Sequence, residues 1–307
     1  MPRAPRLRTR SADRMHSVSY RSPESVRDLR EALSLSAKRA IIRGGQILIP
    51  QLLSRGATPV ELLVDLRRIP EATTVSQALS GLLIGAALPL ADVAASPVVR
   101  REARLLAHVA GHVADQQTRA TATLGGAVGC ADPASDLCAV LLALGASARF
   151  CTPEGIRTVA LESVLGGQLG AAIGRDAAVT GVWVPRLPAT AGWAYRALRA
   201  RRSARSTVGV AVVQTGIRGS IAVSSLYPRP GYARDAERAM AAGESREDVS
   251  AKVKVRASPL ADPDGDPEYR LAMAERLLFR ALAAIAGHDD QGIPDHLSST
   301  HPVSAKA

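Results

Sequence analysis

Cysteine is scarce: Cys130, Cys138 and Cys151 are the only ones in 307 residues. They make neither a disulfide framework nor a C-x-x-C pair, which points to a reducing cytoplasm and away from a zinc or iron–sulfur site within this chain. Aromatic residues make up 3% of the sequence, too few for the stacking platforms that hold single-stranded nucleic acid. Long apolar runs are missing too. The longest, Leu79–Ala95, is broken by Gly81, Gly85, Pro89 and Asp92, short of the roughly 20 uninterrupted residues of a membrane helix. The N-terminal stretch has arginines at 3, 6, 8, 10 and 14 but no apolar segment of a secretory signal, and reads as a basic disordered tail over residues 1–15. Familiar catalytic and nucleotide signatures are absent: no G-x-G-x-x-G, no G-x-x-x-x-G-K-[ST], no G-x-S-x-G. His108 and His112 stand four apart, as on one helix face, but lack the glutamate of H-E-x-x-H.

Positive charge is what the chain has in excess, a formal +11, and Tyr195–Arg205 alone holds five arginines. With no helix-turn-helix or finger spacing beside it, the run reads as a solvated face or a surface turned toward an acidic partner subunit rather than a nucleic-acid site.

Apolar periodicity divides the rest. Ser22-Pro23 reads as the cap of an amphipathic helix placing Val26, Leu29, Leu33 and Leu35 on one face. Short strands are expected at Ala40–Ile42, Leu62–Leu66 and Gly81–Gly85, the first two close enough to pair in a small parallel unit. One helix is expected through "RREARLLAHVAGHVA" and a buried one at Leu137–Leu144, followed by three strands ending at Pro185. Proline and glycine cluster between Pro185 and Gly192, where a break is expected. Beyond it come two apolar strands, Val208–Gln214 and Ser220–Ser225, and then helices, an α+β order. This gives a first domain over 16–188, a second over 189–287 and a flexible tail over 288–307.

Two glycine pairs lie about eighty residues apart, Gly44-Gly45 after a strand and Gly125-Gly126 in "ATATLGGAVGCADPASDL". Glycine lets main-chain N–H groups approach a ligand with no Cβ in the way. A phosphate-bearing cofactor and an ordinary tight turn both satisfy that.

"RGGQILIP" (43–50) and "QTRATATLGGAVGCADPASDL" (117–137) resemble the two glycine motifs of the FAD-binding medium subunits of molybdenum hydroxylases, the carbon monoxide dehydrogenase and xanthine dehydrogenase type. "ELLVDLRRIPE", "YRALRARRSARSTVGVAVV" and "YPRPGYARDAERAM" are similar to further segments of that family, so the likeness spans about Val18 to Ile285. The resemblance implies an α+β fold in which two small lobes hold FAD, followed by a small α+β C-terminal domain. It implies cofactor contacts at Arg43, Gly44, Gly45, Gln46 and Ile47, and at Thr123, Gly125, Gly126, Asp136 and Val179, with no catalytic side chain and no metal ligand. Gly125 and Gly126 would offer amides to the pyrophosphate, and Thr123 and Asp136 hydrogen bonds to the cofactor. It further implies an iron–sulfur small subunit and a large subunit with the molybdenum cofactor as partners, the flavin passing electrons to NAD⁺, oxygen or another acceptor. Arg43 stands where that family usually has alanine, Ile47 replaces a hydroxyl residue, and Ala120 and Ala127 replace asparagines. A cofactor-poor homologue serving as a scaffold is the alternative.

Overall fold

The computed structural model describes residues 18–54, 60–165, 176–199, 205–259, 261–263, 265–287 and 299–301. The basic tail expected over 1–15 and the arginines at 201 and 202 lie outside them.

The described residues form three sheets. In the first, β1 (Ser19–Arg21), β2 (Arg39–Ile42) and β3 (Leu62–Asp65) run parallel in the order β1-β3-β2. Helix α1 (Val26–Leu33) covers it, laying Leu29 and Leu33 against Leu62, Val64 and Ile69. Its cap is Ser25, which accepts from the Asp28 amide at 3.1 Å, not Ser22. Pro23 fits the turn ahead of the helix, and the nearer hydroxyl takes the orphan amide. After β2 the chain turns through Gly44-Gly45 into α2 (Leu48–Leu53), and α3 (Pro70–Thr73) leads to the second sheet.

That sheet is antiparallel, β4 (Val75–Ala78), β5 (Gly81–Gly85), β8 (Ala178–Pro185), β6 (Ser147–Thr152) and β7 (Gly155–Ala160) in that spatial order. Helices α4 (Leu90–Ala95), α5 (Pro97–Glu102), α6 (Arg104–Ala110), α7 (Gln116–Thr121), α8 (Leu124–Cys130) and α9 (Asp136–Ala143) build up beside it. The single helix expected across 100–114 is two, because Ala103 leaves the helical region at φ −138, ψ 55 and turns α6 so that Leu105, Leu106 and Val109 reach the core. Every residue of α9 is buried. An apolar helix on all sides needs cover on all sides.

The cover comes from the third sheet, β9 (Gly192–Arg199), β10 (Ser206–Thr215), β11 (Arg218–Ser224) and β12 (Gly231–Tyr232), ordered β12-β11-β10-β9 and extended past β9 by β13 (Ser299–His301). Sequence reading missed β9, whose arginines mask a period-two pattern of Trp193, Tyr195 and Ala197. Of the segment expected as a loose tail, β13 is the described part.

Along β10 the side chains alternate between two cores. Val208, Val210 and Val212 meet the helices Arg234–Ala241, Arg246–Ala251 and Pro267–Ile285. Ala211 and Val213 join Tyr195, Ala222 and the apolar residues of α9 in the core that also holds Phe150 and Val182 of the second sheet.

Polar contacts fix this junction. Asp136, at the first position of α9, accepts from Arg199 Nη2 at 2.5 Å, from Ser206 Oγ and from Ser224 Oγ at 3.0 Å. Arg199 also donates to Ser206 Oγ and to the Tyr195 hydroxyl. The Ser225 amide donates to Pro133 O at 2.7 Å, and the Tyr232 hydroxyl to Leu142 O at 2.7 Å. Arg199 and Asp136 side chains are each only 6% exposed. Removing one member of such a pair strands the other charge, at a cost of about 3–5 kcal/mol. Arg199→Met is therefore expected to lower the unfolding free energy of the full chain by about that much in urea titration, and a loss below about 1 kcal/mol, the range of an exposed pair, would show that the network does not hold the domains together.

Candidate functional site

The two glycine motifs meet in space. A Cβ on Gly44 would overlap the carbonyl oxygen of Thr121, so the turn after β2 lies directly on the backbone leading from α7 into α8. Gly45 adopts φ +72, the left-handed region that glycine enters without strain. Beside this contact opens a cavity of about 900 Å³, lined by the turn, by the start of α8, by the beginning of β8 and by the junction with the C-terminal sheet.

All ten residues singled out from the sequence line it: Arg43, Gly44, Gly45, Gln46 and Ile47 from the turn, Thr123, Gly125 and Gly126 from α8 and its cap, Asp136 from α9, and Val179 from β8. Their local roles differ. Thr123 caps α8, its Oγ1 accepting from the Gly126 amide at 3.1 Å. Gly125 donates its amide to Ala86 O at 2.9 Å, and a Cβ there would overlap Ala86. The second glycine pair is thus the first turn of a helix rather than a loop, and both its amides are already engaged inside the protein. At Gly125 the missing side chain permits packing. At Gly126 a Cβ would meet only Thr123 Oγ1, 3.1 Å away, so its other side is open. Among the described residues, the N–H groups of Gly44, Gly45 and Gln46 have no hydrogen-bond partner. The carboxylate of Asp136, which borders the cavity, is taken up by Arg199, Ser206 and Ser224.

Sequence reading overlooked the wall supplied by the C-terminal sheet. Arg199, Arg205 and Ser206 line the cavity, where the arginine run suggests a solvated face or a surface turned toward an acidic partner subunit. Arg199 is buried, and Arg205 pairs with Asp132 at 3.0 Å. The spacing of Tyr195 and Arg199 on one face of an extended strand was the available signal. Cys130 also borders the cavity, and Cys138 packs behind it with its thiol pushed up to about 12 by burial. A thiol so placed stays protonated and inert.

His108 and His112 stack with ring centroids 4.2 Å apart. Among the described residues no group of three or more His, Cys, Asp or Glu is placed to hold a metal. His112 Nδ1 lies 2.7 Å from His108 O, while His108 Nε2 is buried without a hydrogen-bond partner. Burial, and then the charge of His112, push His108 down to about 4 from 6.5.

Residues 15–187 match the family of FAD binding domains in molybdopterin dehydrogenases. The chain belongs to that family. Residues 193–285 match the CO dehydrogenase flavoprotein C-terminal domain, giving the two-domain α+β architecture that the resemblance implied. Similar curated proteins include the carbon monoxide dehydrogenase medium chain of Hydrogenophaga pseudoflava, 30% identical over 86% of this chain and 96% of that one. The nicotine 6-hydroxylase medium subunit of Paenarthrobacter nicotinovorans is 27% identical over 88% of this chain and 97% of that one. Among solved structures, carbon monoxide dehydrogenase from Hydrogenophaga pseudoflava superposes with a TM-score of 0.81 at 29% identity, covering 89% of this chain and 98% of that one. Quinoline 2-oxidoreductase from Pseudomonas putida 86 gives 0.80 at 26%, with the same coverage.

The residues present fit the family's cofactor. The cavity opens between the turn after β2 and the helices α8 and α9 beside the second sheet, the unpartnered amides of 44–46 and the open side of Gly126 offer close approach to an anion, and Arg43 lines the cavity with its Nε buried and without a partner.

Two substitutions separate the roles of the glycines. Gly44→Ala is expected to cost about 1–3 kcal/mol through the clash with Thr121, while Gly129→Ala, with nothing within 4 Å of the new methyl, should be neutral or stabilising; thermal unfolding compares them, and equal melting points would refute the contact. His108 gives a pH signature. Its folded-state pKa lies below the unfolded one, so no proton-linked cost arises above about 6.5, and stability is lost as pH falls toward about 4. His108→Leu should flatten the melting-temperature profile across that window, and an unchanged slope would place the acid sensitivity elsewhere.

Proposed function

We propose that the chain is the FAD-binding, electron-transferring medium subunit of a molybdenum hydroxylase complex, taking electrons from iron–sulfur clusters of a small subunit and delivering them to an external acceptor. The single observation that carries this is the meeting of the two glycine motifs on one wall of a cavity in a chain of this family. When bound, FAD supplies the redox chemistry, and the protein supplies position and electrostatics. The 44–46 amides would cradle the pyrophosphate. Thr123 fixes the start of α8, so that the open side of Gly126 would be available to the cofactor, while Val179 and Phe150 would offer apolar wall. No side chain of this set acts as an acid, a base or a nucleophile.

Partner chains belong to the same proposal. The medium-chain and medium-subunit names of the relatives support it, as does the length over which those proteins are matched. A reducing cytoplasm suits the three free thiols. No helix among the described residues is long and apolar enough to cross a membrane.

The full chain, purified, is expected to carry FAD, released in a one-to-one ratio on denaturation, and its visible flavin spectrum should bleach on mixing with the chemically reduced iron–sulfur subunit. Absence of flavin from the purified protein, with no uptake of added FAD, would overturn the proposal and favour a scaffold. Flavin that binds but does not bleach would leave the cofactor in place and overturn the electron route.

A further inference from the structure

The charges on the cavity wall do not balance. Among the described residues, five charged ones line it, Arg43, Arg199 and Arg205 against Asp132 and Asp136. Asp136 is paired with Arg199 at 2.5 Å and Asp132 with Arg205 at 3.0 Å. Arg43 is left over: among the described residues no carboxylate faces it, and its Nε is buried with no acceptor. A buried guanidinium N–H without an acceptor is costly unless a ligand completes it. The neighbouring positions that could otherwise grip a phosphate with a side chain, Ile47 and Ala127, carry no polar atom there, though both line the cavity.

We infer that Arg43 pairs with the diphosphate of the bound dinucleotide and offsets part of its charge, adding an ion pair to the backbone hydrogen bonds of the glycine turn. This rests on the FAD reading above. Its place in the chain suits that role, because Arg43 immediately precedes the Gly44-Gly45 turn, whose amides have no partner among the described residues, and a planar guanidinium can fork across two phosphate oxygens. The pairing would also make affinity sensitive to ionic strength, which backbone hydrogen bonds alone would do much more weakly.

The test uses the full chain stripped of flavin and titrated with FAD, following flavin fluorescence at about 0.05 M and about 0.5 M salt, conditions on either side of strong screening. Arg43→Ala is expected to raise the Kd about tenfold or more at low salt, with Arg43→Lys falling between. Salt should weaken the wild type and leave Arg43→Ala nearly unchanged, and inorganic pyrophosphate should compete with FAD in the wild type much better than in Arg43→Ala. If Arg43→Ala binds FAD as tightly as the wild type or tighter, the inference is wrong while the FAD reading stands. If affinity drops but the salt response is kept, Arg43 only props the turn, and the inference is again wrong. A wild type that binds no FAD at any concentration would overturn both.

Discussion

A nearly dry carboxylate at the head of a buried helix sets the terms for the rest of the molecule. Asp136 is 6% exposed, and its charge is answered by the Arg199 guanidinium, two serine hydroxyls and the positive end of the α9 dipole. Those partners come from three consecutive strands of the C-terminal sheet, so meeting the needs of one oxygen pair fixes β9, β10 and β11 against the helix. Gly209 belongs to the same constraint, since a side chain there would overlap both Asp136 and Ser224. The cavity inherits its shape from this arrangement, because α9, the turn before it at Asp132 and Arg199 border it together.

The opposite wall is built differently. Helix α2 has no buried residue, and Ile47, Ile49 and Leu53 remain exposed. Its position depends on the glycine turn and on the contact with Thr121 rather than on a core. Few buried apolar contacts mean low local stability, so the site has one wall anchored by a polar network and another resting on backbone geometry.

How much of this was legible in the sequence follows from the range of each interaction. Patterns local to a few residues were readable: the strand before Gly44, the parallel pairing of β2 with β3, the buried run of α9 and the apolar strand at β10. The glycine motifs marked the cavity wall on which they meet. What sequence could not supply was the partner of each group. Asp136 reads as a candidate ligand contact until Arg199, 63 residues on, is seen to occupy it. Gly125 and Gly126 read as equivalent, yet one accommodates Ala86 and the other leaves open space. The arginines of β9 misled because charge usually marks a solvated surface, and only the strand's pairing with β10 turns Arg199 inward.

Helix α9 has a consequence for how this chain can be inherited. It is counted within the first family's residues by sequence, yet one of its faces is clothed by the sheet of the second. Neither part can be exchanged for an unrelated module without leaving an apolar helix face bare, and a bare face of that kind invites aggregation. The two sequence families are separable as text and inseparable as a surface, so mutations on α9 and on the facing side of β9–β11 are expected to drift together rather than independently.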